Sequence, residues 1–194
     1  MNTSFDAFRI VNTYGAFGSI TKVRTEVVLQ GTTDTTPGEH TVWRDFEFKC
    51  KPGDIDRRPC LISPWHYRLD WLMWFAAFQN YQSCPWIIHL AVKIMNGDTS
   101  VNSLLAVDGN PFSKSERTIA ESVESRPRIM RALLYEYRYN LEWLGLGMEH
   151  SRQEHWETGI WWKRRVLKEY IPAFSPEQDG VKNFLSHYGF NKSK

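Results

Sequence analysis

The residues best suited to chemistry lie around His66, which stands between Trp65 and Tyr67. Imidazole is the side chain most often used as a general base, and Cys60 or Ser63 would be the nucleophile that it activates. The same position also suits a histidine that hydrogen-bonds the backbone at the start of a helix. A catalytic and a structural hypothesis therefore compete at this point of the chain.

Other signs of catalysis or metal binding are weak. Arg68 and Asp70 have opposite charges at the start of an apolar segment, which indicates an ion pair or a contact at a helix terminus. The Glu-His pairs at 149–150 and 154–155 lie in a polar stretch, which is typical of a solvated surface. The chain has no Gly-x-Ser-x-Gly elbow, Walker loop, His-Glu-x-x-His or Cys-x-x-Cys motif. We therefore expect a protein that is not an enzyme, with no catalytic residue, metal centre or cofactor.

The three cysteines are Cys50, Cys60 and Cys84. Cys50 and Cys60 flank a Pro-Gly-Asp turn at a spacing that a disulfide can close, and closing so short a loop contributes about 2–3 kcal/mol in the chain-entropy model. A pair of reduced cysteines fits the same spacing equally well. The residues by themselves leave both states open.

Charge and aromatic content narrow the choice of partner. The 24 basic and 22 acidic residues nearly balance, which gives a net charge of +2 and little general affinity for nucleic acid. Basic residues interleave with tyrosines within 126–139 and follow Trp161 and Trp162, but cation–π packing explains this pattern without a nucleic-acid partner. The nine tryptophans belong to a core or to a recognition surface.

The elements that position these residues form an α+β pattern. Residues 42–50 alternate apolar and polar side chains as a half-buried strand does, whereas residues 161–170 have basic residues on one side of an amphipathic helix. We predict an antiparallel β-sheet covered by several α-helices, with strands near 8–14, 25–30, 42–50 and 133–139 and helices near 68–78, 86–95, 161–170 and 176–188.

Residues 64–78 organise this arrangement. They include three tryptophans, and from Leu69 to Phe78 the only charged residue is Asp70, so nearly every face of the segment needs apolar cover. We expect this helix to lie over the sheet face that carries Phe46 and Phe48. A partner-binding surface is then expected at the start of the helix.

The domain organisation is simple. We expect a single α+β domain over residues 1–175, with a flexible loop near 108–127 and an irregular loop near 141–159, followed by a C-terminal helix and tail over 176–194. The apolar runs stop far short of the roughly 20 residues that a membrane-spanning helix needs.

Several long blocks together resemble the C-terminal domain of the lipase maturation factor family. The blocks are residues 12–18 (NTYGAFG), 25–31 (TEVVLQG), 46–54 (FEFKCKPGD), 57–64 (RRPCLISP), 66–78 (HYRLDWLMWFAAF) and 86–90 (WIIHL), with Trp161 and Trp162 later in the chain. The resemblance runs from about Phe8 to Phe174. It is closer to the first of the family's two paralogues, chiefly because Cys50 and Cys60 are both present.

The resemblance implies a domain on the lumenal side of the endoplasmic reticulum membrane. The domain would belong to a multipass membrane protein, with spans N-terminal to residue 1, that helps secreted lipases of the lipoprotein lipase type to fold and assemble. The alternatives are a lipid- or thiol-modifying enzyme domain, or a structural cap on the membrane part. A lumenal location would favour a disulfide between Cys50 and Cys60, because that compartment is oxidising.

The residues at which a partner would bind are expected at the start of the central helix. They are Trp65, His66, Tyr67 and Arg68. Asn2 and Asn191 begin glycosylation sequons that a lumenal domain could use.

Overall fold

The computed structural model of the chain describes residues 23–61, 66–112, 126–140 and 159–190. Within these ranges it contains an antiparallel sheet of strand order β2-β1-β3-β4 and four helices, so the predicted α+β class is confirmed. The elements are β1 (Arg24–Thr32), β2 (Arg44–Asp45), α1 (Arg68–Ala76), α2 (Trp86–Met95), α3 (Thr99–Asn102), β3 (Ile129–Tyr139), β4 (Trp162–Phe174) and α4 (Asp179–His187).

Strands β1 and β3 form the centre of the sheet. Their register is unbroken, from Arg24 opposite Tyr137 to Thr32 opposite Ile129. The β-branched and aromatic residues of both segments favour extended backbone. The strands predicted near 25–30 and 133–139 are confirmed, and each extends a few residues further.

The two faces of the sheet bury different side chains. Val27 and Leu29 belong to the main apolar core, which the helices cover. Val28 points to the opposite face and packs in a second cluster with Tyr137 and Trp162. Because successive side chains of a strand alternate between faces, β1 contributes to both clusters.

Three of the four predicted helices are confirmed. Helix α2 matches the predicted bounds of 86–95 and buries apolar residues at helical spacing, including Ile87, Ala91 and Ile94. Helix α1 begins at the predicted residue and ends two residues early, and α4 lies within the predicted 176–188. Leu185 of α4 is buried in the main core, so the last helix packs on the same core as the others.

The prediction of a helix over 161–170 is wrong, because β4 occupies this segment and pairs with β3. Residues 163–169 of β4 are exposed, except for the half-buried Arg164. A strand that is exposed on both faces has no apolar alternation, so its basic residues also fit a helical pattern. This segment is a strand because it pairs with β3, about 30 residues earlier in the chain. Local periodicity contains no information about such long-range pairing.

The strand predicted over 42–50 is regular only at Arg44–Asp45. The N–H of Phe46 still donates to the Leu29 carbonyl at 2.9 Å, but the next residue, Glu47, turns its backbone to the loop at 105–110. There its N–H donates to the Gly109 carbonyl at 2.8 Å. Phe46 and Phe48 are nevertheless both buried, as the alternation of the segment predicts.

Some predictions fall outside the described residues. These are the strand near 8–14, most of the two loops near 108–127 and 141–159, the sequons at Asn2 and Asn191, and Trp65. Among the described residues, no helix combines the length and the apolar character that crossing a membrane requires.

Candidate interaction surface

The outward face of α1 and the residues that flank it carry a row of rings in contact with one another, which we call the aromatic ladder: His66, Trp71, Trp74 and Phe78. Neighbouring ring centroids are 5.3 Å, 4.9 Å and 5.0 Å apart along this order. Phe75 lies on the same helix and exposes 38% of its surface, and Phe78 exposes 51%. The domain thus presents large aromatic side chains to solvent at one place.

Helical spacing explains the ladder. Asp70, Met73 and Ala76 recur at intervals of three residues and are buried. Residues 71, 74, 75 and 78 then fall together on the other side of the helix. The expectation that nearly every face of this segment is covered is therefore wrong, although α1 does lie against β1 as predicted.

Asp70 fixes the first turn of α1. Its Oδ1 accepts hydrogen bonds from the backbone N–H of Cys50 at 2.6 Å and of Lys51 at 2.9 Å. Asp70 is 7% exposed, and these bonds offset part of the cost of burying its carboxylate. Asp70 therefore joins the helix that carries the ladder to the segment that begins at Cys50.

A disulfide joins Cys50 to Cys60, with the two Cα atoms 5.4 Å apart, and the predicted pairing is confirmed. We call residues 50–60 the disulfide loop. Cys60 is not a free thiol, so it cannot serve as the nucleophile that His66 would activate, and Ser63 lies outside the described residues. Among the described residues, no three His, Cys, Asp or Glu side chains form a group that could hold a metal ion.

An ion pair holds the disulfide loop against the preceding segment. Arg57 Nη1 donates to Glu47 Oε2 at 2.8 Å, and Arg57 Nη2 donates to the Lys49 carbonyl at 2.5 Å. Burial raises the pKa of the Glu47 carboxyl, and the charges of Lys51 and Arg57 oppose this shift. A Cβ at Gly53 would overlap the Glu47 carboxylate, so a larger residue there would displace this side chain from its present position.

The loop also binds the sheet. The Tyr137 hydroxyl of β3 donates to the Gly53 carbonyl at 2.8 Å, and Trp162 Nε1 of β4 donates to the Arg57 carbonyl at 2.7 Å. Both donors are buried, and burial raises the pKa of the Tyr137 hydroxyl far above its ordinary value. Tyr137 therefore stays a neutral donor. Through these bonds the loop links α1 to two strands.

Three of the four predicted partner-binding residues are described, and they lie at the start of α1. His66 is exposed and forms the first ring of the ladder, and Arg68 is exposed at the first residue of the helix. Tyr67 is half-buried, with Lys49 Nζ 5.2 Å from its ring centroid. The sequence reasoning missed the rings from Trp71 to Phe78, although their i, i+3, i+4, i+7 spacing was a usable signal.

Comparison of the sequence with known proteins identifies the family of this chain. The family model for the lipase maturation factor C-terminal domain matches residues 10–172. The chain is 51% identical over 178 residues to mouse lipase maturation factor 1, a match that covers 91% of this chain. It is 49% identical to human lipase maturation factor 1 over 92% of this chain, and 30% identical to chicken lipase maturation factor 2 over 97% of it.

The match covers only part of each relative. The chain spans 28% of the mouse and human proteins and 24% of the chicken protein. No solved structure matches the chain. The resemblance inferred from the sequence blocks is confirmed, with identity near 50% to lipase maturation factor 1 and near 30% to lipase maturation factor 2. The chain therefore belongs to the lipase maturation factor family, as a C-terminal domain closer to lipase maturation factor 1.

Proposed function

We propose that this domain is a non-enzymatic folding factor that binds immature secreted lipases of the lipoprotein lipase type through the aromatic ladder. The observation that carries the proposal is the partly exposed row of rings along a helix that Asp70 fixes to the disulfide loop. The relatives are named as lipase maturation factors, which supports a lipase as the client.

The ladder has the chemistry that an incompletely folded client requires. Folding intermediates expose apolar surface that native proteins bury, and aromatic rings bind such surface with little loss of side-chain entropy. The rings of Trp71, Trp74 and Phe78 already contact one another, so their arrangement exists before the client binds. A preformed surface avoids part of the entropic cost of binding.

The location follows from the same proposal. We place the domain in the lumen of the endoplasmic reticulum, where secreted lipases fold, and its membrane attachment in spans N-terminal to residue 1. The disulfide between Cys50 and Cys60 supports an oxidising compartment. The matched part is 28% of the mouse relative and 24% of the chicken relative, which leaves room for such spans.

The test uses the full-length protein that carries this domain, expressed with a secreted lipase in cells that lack their own maturation factor. Trp71→Ser combined with Trp74→Ser should reduce both co-precipitation of newly made lipase and secreted lipase activity severalfold. Tyr188→Ser is the matched control, because Tyr188 is also an exposed aromatic residue, 42% exposed, but lies at the end of α4 and is not part of the ladder. This control should behave as wild type.

Two outcomes would overturn the proposal. If a protein without this domain still matures lipase, the domain is a structural cap. If His66→Ala abolishes lipase maturation while folding and lipase co-precipitation stay normal, the domain acts by catalysis rather than by binding.

A further inference from the structure

The start of α1 carries two cations. Arg68 is the first residue of the helix and is exposed. Lys49 is half-buried, and its Nζ lies 5.2 Å from the ring centroid of Tyr67, the residue that precedes Arg68. Neither cation forms an ion pair with any residue that the structure describes. Two positive charges are therefore available at this end of the aromatic ladder.

The one acidic residue of α1 does not neutralise these cations. Asp70 Oδ1 accepts its hydrogen bonds from the backbone N–H groups of Cys50 and Lys51, and among the described residues none donates to Oδ2. The ion pair between Arg68 and Asp70 that the sequence allowed is therefore not formed. Asp70 is buried while Arg68 is exposed, so the charge that α1 presents to solvent is positive.

The charge of this segment is confined to one end of the ladder. No charged residue occurs from Trp71 to Trp86. With a rise of about 1.5 Å per residue, the rings from Trp71 to Phe78 extend along about 10 Å of helix, which matches about three residues of an extended chain. Along α1 and the residues that follow it, the ladder is thus a short apolar surface with positive charge at its start.

We infer that the client segment bound by the ladder consists of a few consecutive apolar residues with acidic residues at one end, which pair with Arg68 and Lys49. This inference rests on the proposed function and adds the class of sequence that the ladder selects. The apolar residues supply most of the binding energy by covering the rings, and the acidic residues set the direction of the segment along the helix. A basic residue at the same end would be repelled by the two cations.

A polypeptide fits this surface better than an anionic lipid surface does. A helix that binds anionic lipid lies in the plane of the membrane interface and carries basic residues along its polar face. In α1 the side opposite the ladder holds Asp70, Met73 and Ala76 and is buried in the domain. Two cations at one end match a pair of carboxylates at the end of a peptide, and not a continuous layer of lipid headgroups.

The test measures fluorescence anisotropy of labelled peptides titrated with the full chain. The acidic peptide is Glu-Glu-Ser-Leu-Val-Leu-Phe-Ser, and the neutral peptide has glutamine in place of both glutamates. The acidic peptide should bind about fivefold more tightly than the neutral one, because two charge pairs form at a partly exposed site. A peptide with lysine at these two positions should bind more weakly than the neutral peptide.

Two double variants of equal charge test which cations are responsible. Lys49→Gln combined with Arg68→Gln should reduce the affinity for the acidic peptide to that for the neutral peptide, and should leave the affinity for the neutral peptide unchanged. Arg128→Gln combined with Lys182→Gln removes the same charge at exposed positions of other segments and should keep the preference for the acidic peptide. Circular dichroism reports whether each variant is folded.

This inference and the proposed function can fail separately. Trp71→Ser combined with Trp74→Ser should weaken binding of both peptides. If it does so while the wild-type chain binds the acidic and neutral peptides equally, the inference is overturned and the ladder remains a binding site. If it leaves both affinities unchanged, the ladder is not the binding site, and the proposed function is overturned as well. Binding to vesicles of phosphatidylserine and phosphatidylcholine without binding of either peptide would assign the surface to lipid and overturn the inference.

Discussion

Glu47 and Glu136 show how the environment of single residues sets their contribution to stability. Burial raises the pKa of Glu47, whereas hydrogen bonds from Arg165 and Arg138 lower the pKa of Glu136. In the unfolded chain both carboxyls return to values near 4.5. Folding therefore favours the protonated form of Glu47 and the charged form of Glu136.

These opposite shifts predict opposite pH dependences. The contribution of Glu47 is present at low pH and is lost as the pH rises through its raised folded-state pKa. The contribution of Glu136 is present above the ordinary carboxyl pKa and is lost as the pH falls. Between about pH 3 and about pH 7, the free energy of unfolding relative to wild type should therefore rise for Glu47→Gln and fall for Glu136→Gln. Urea denaturation at each pH measures both, and slopes of the same sign would contradict the assignment.

Helix α1 offers a matched pair of side chains for testing which of its faces is buried. Met73 is fully buried, whereas Trp74 is half-buried and contacts the rings of Trp71 and Phe78. Met73→Ala should lower the free energy of unfolding by about 2–5 kcal/mol through the cavity it leaves. Trp74→Ala should cost less, about 1–2.5 kcal/mol, since the half-buried ring loses its ring-to-ring contacts and only part of the area that a core residue buries.

Chemical denaturation of the two variants distinguishes the faces of the helix. A loss of about 3 kcal/mol or more for Trp74→Ala would place its ring in the core, and the aromatic ladder would then not be an exposed surface. A small decrease in the free energy of unfolding for Met73→Ala would indicate that Met73 does not face the core, and the assignment of the buried face would be wrong. Near-ultraviolet circular dichroism should change for Trp74→Ala in either case, because the contact between the Trp71 and Trp74 rings is lost.

The elements predictable from the sequence are those whose burial follows from local periodicity. Helix α2 was predicted to the residue, because its apolar positions repeat with helical spacing and Pro85 and Asn96 flank it. Strand β4 was not, because its exposed first half carries no periodic signal and pairing with β3 determines its structure. Strand β2 was predicted too long, because the Glu47 N–H donates to the Gly109 carbonyl and the backbone leaves β1 at this residue.

The candidate surface was predictable in part, for a related reason. The sequence located it at the start of α1, where His66 and Arg68 are indeed exposed. The spacing of the rings marks one side of the helix but does not indicate whether that side is buried, since every residue of α1 except Arg68 and Asp70 is apolar. The burial of Asp70 decides which side is covered. Asp70 is buried because its carboxylate accepts hydrogen bonds from two backbone N–H groups about 20 residues earlier in the chain. Tertiary contacts of this kind leave no local pattern in the sequence.

In the molecule as a whole, the disulfide loop joins layers that are distant in sequence. It binds α1 through Asp70, β3 through Tyr137 and β4 through Trp162. All of these contacts use backbone atoms of the loop, so none depends on a cysteine side chain. Loss of the disulfide should therefore destabilise the domain without releasing the loop from the folded state.

Replacing Cys50 and Cys60 together by serine tests this. The free energy of unfolding should fall by about 2–3 kcal/mol, because the unfolded chain regains the entropy of an open loop. For a domain of this size the thermal midpoint should fall by roughly 4–12 °C. Reductant should lower the wild-type midpoint by a similar amount and leave that of the double variant unchanged.

Cys84→Ser provides the control, because Cys84 is a buried free cysteine whose effect on stability should not depend on reductant. Near-ultraviolet circular dichroism below the transition should match between wild type and the double variant, since Tyr137 and Trp162 keep their bonds to the loop. A wild-type midpoint insensitive to reductant would contradict the disulfide. A changed spectrum in the double variant would instead show that the disulfide, and not the bonds from Asp70, Tyr137 and Trp162, holds the loop that positions α1.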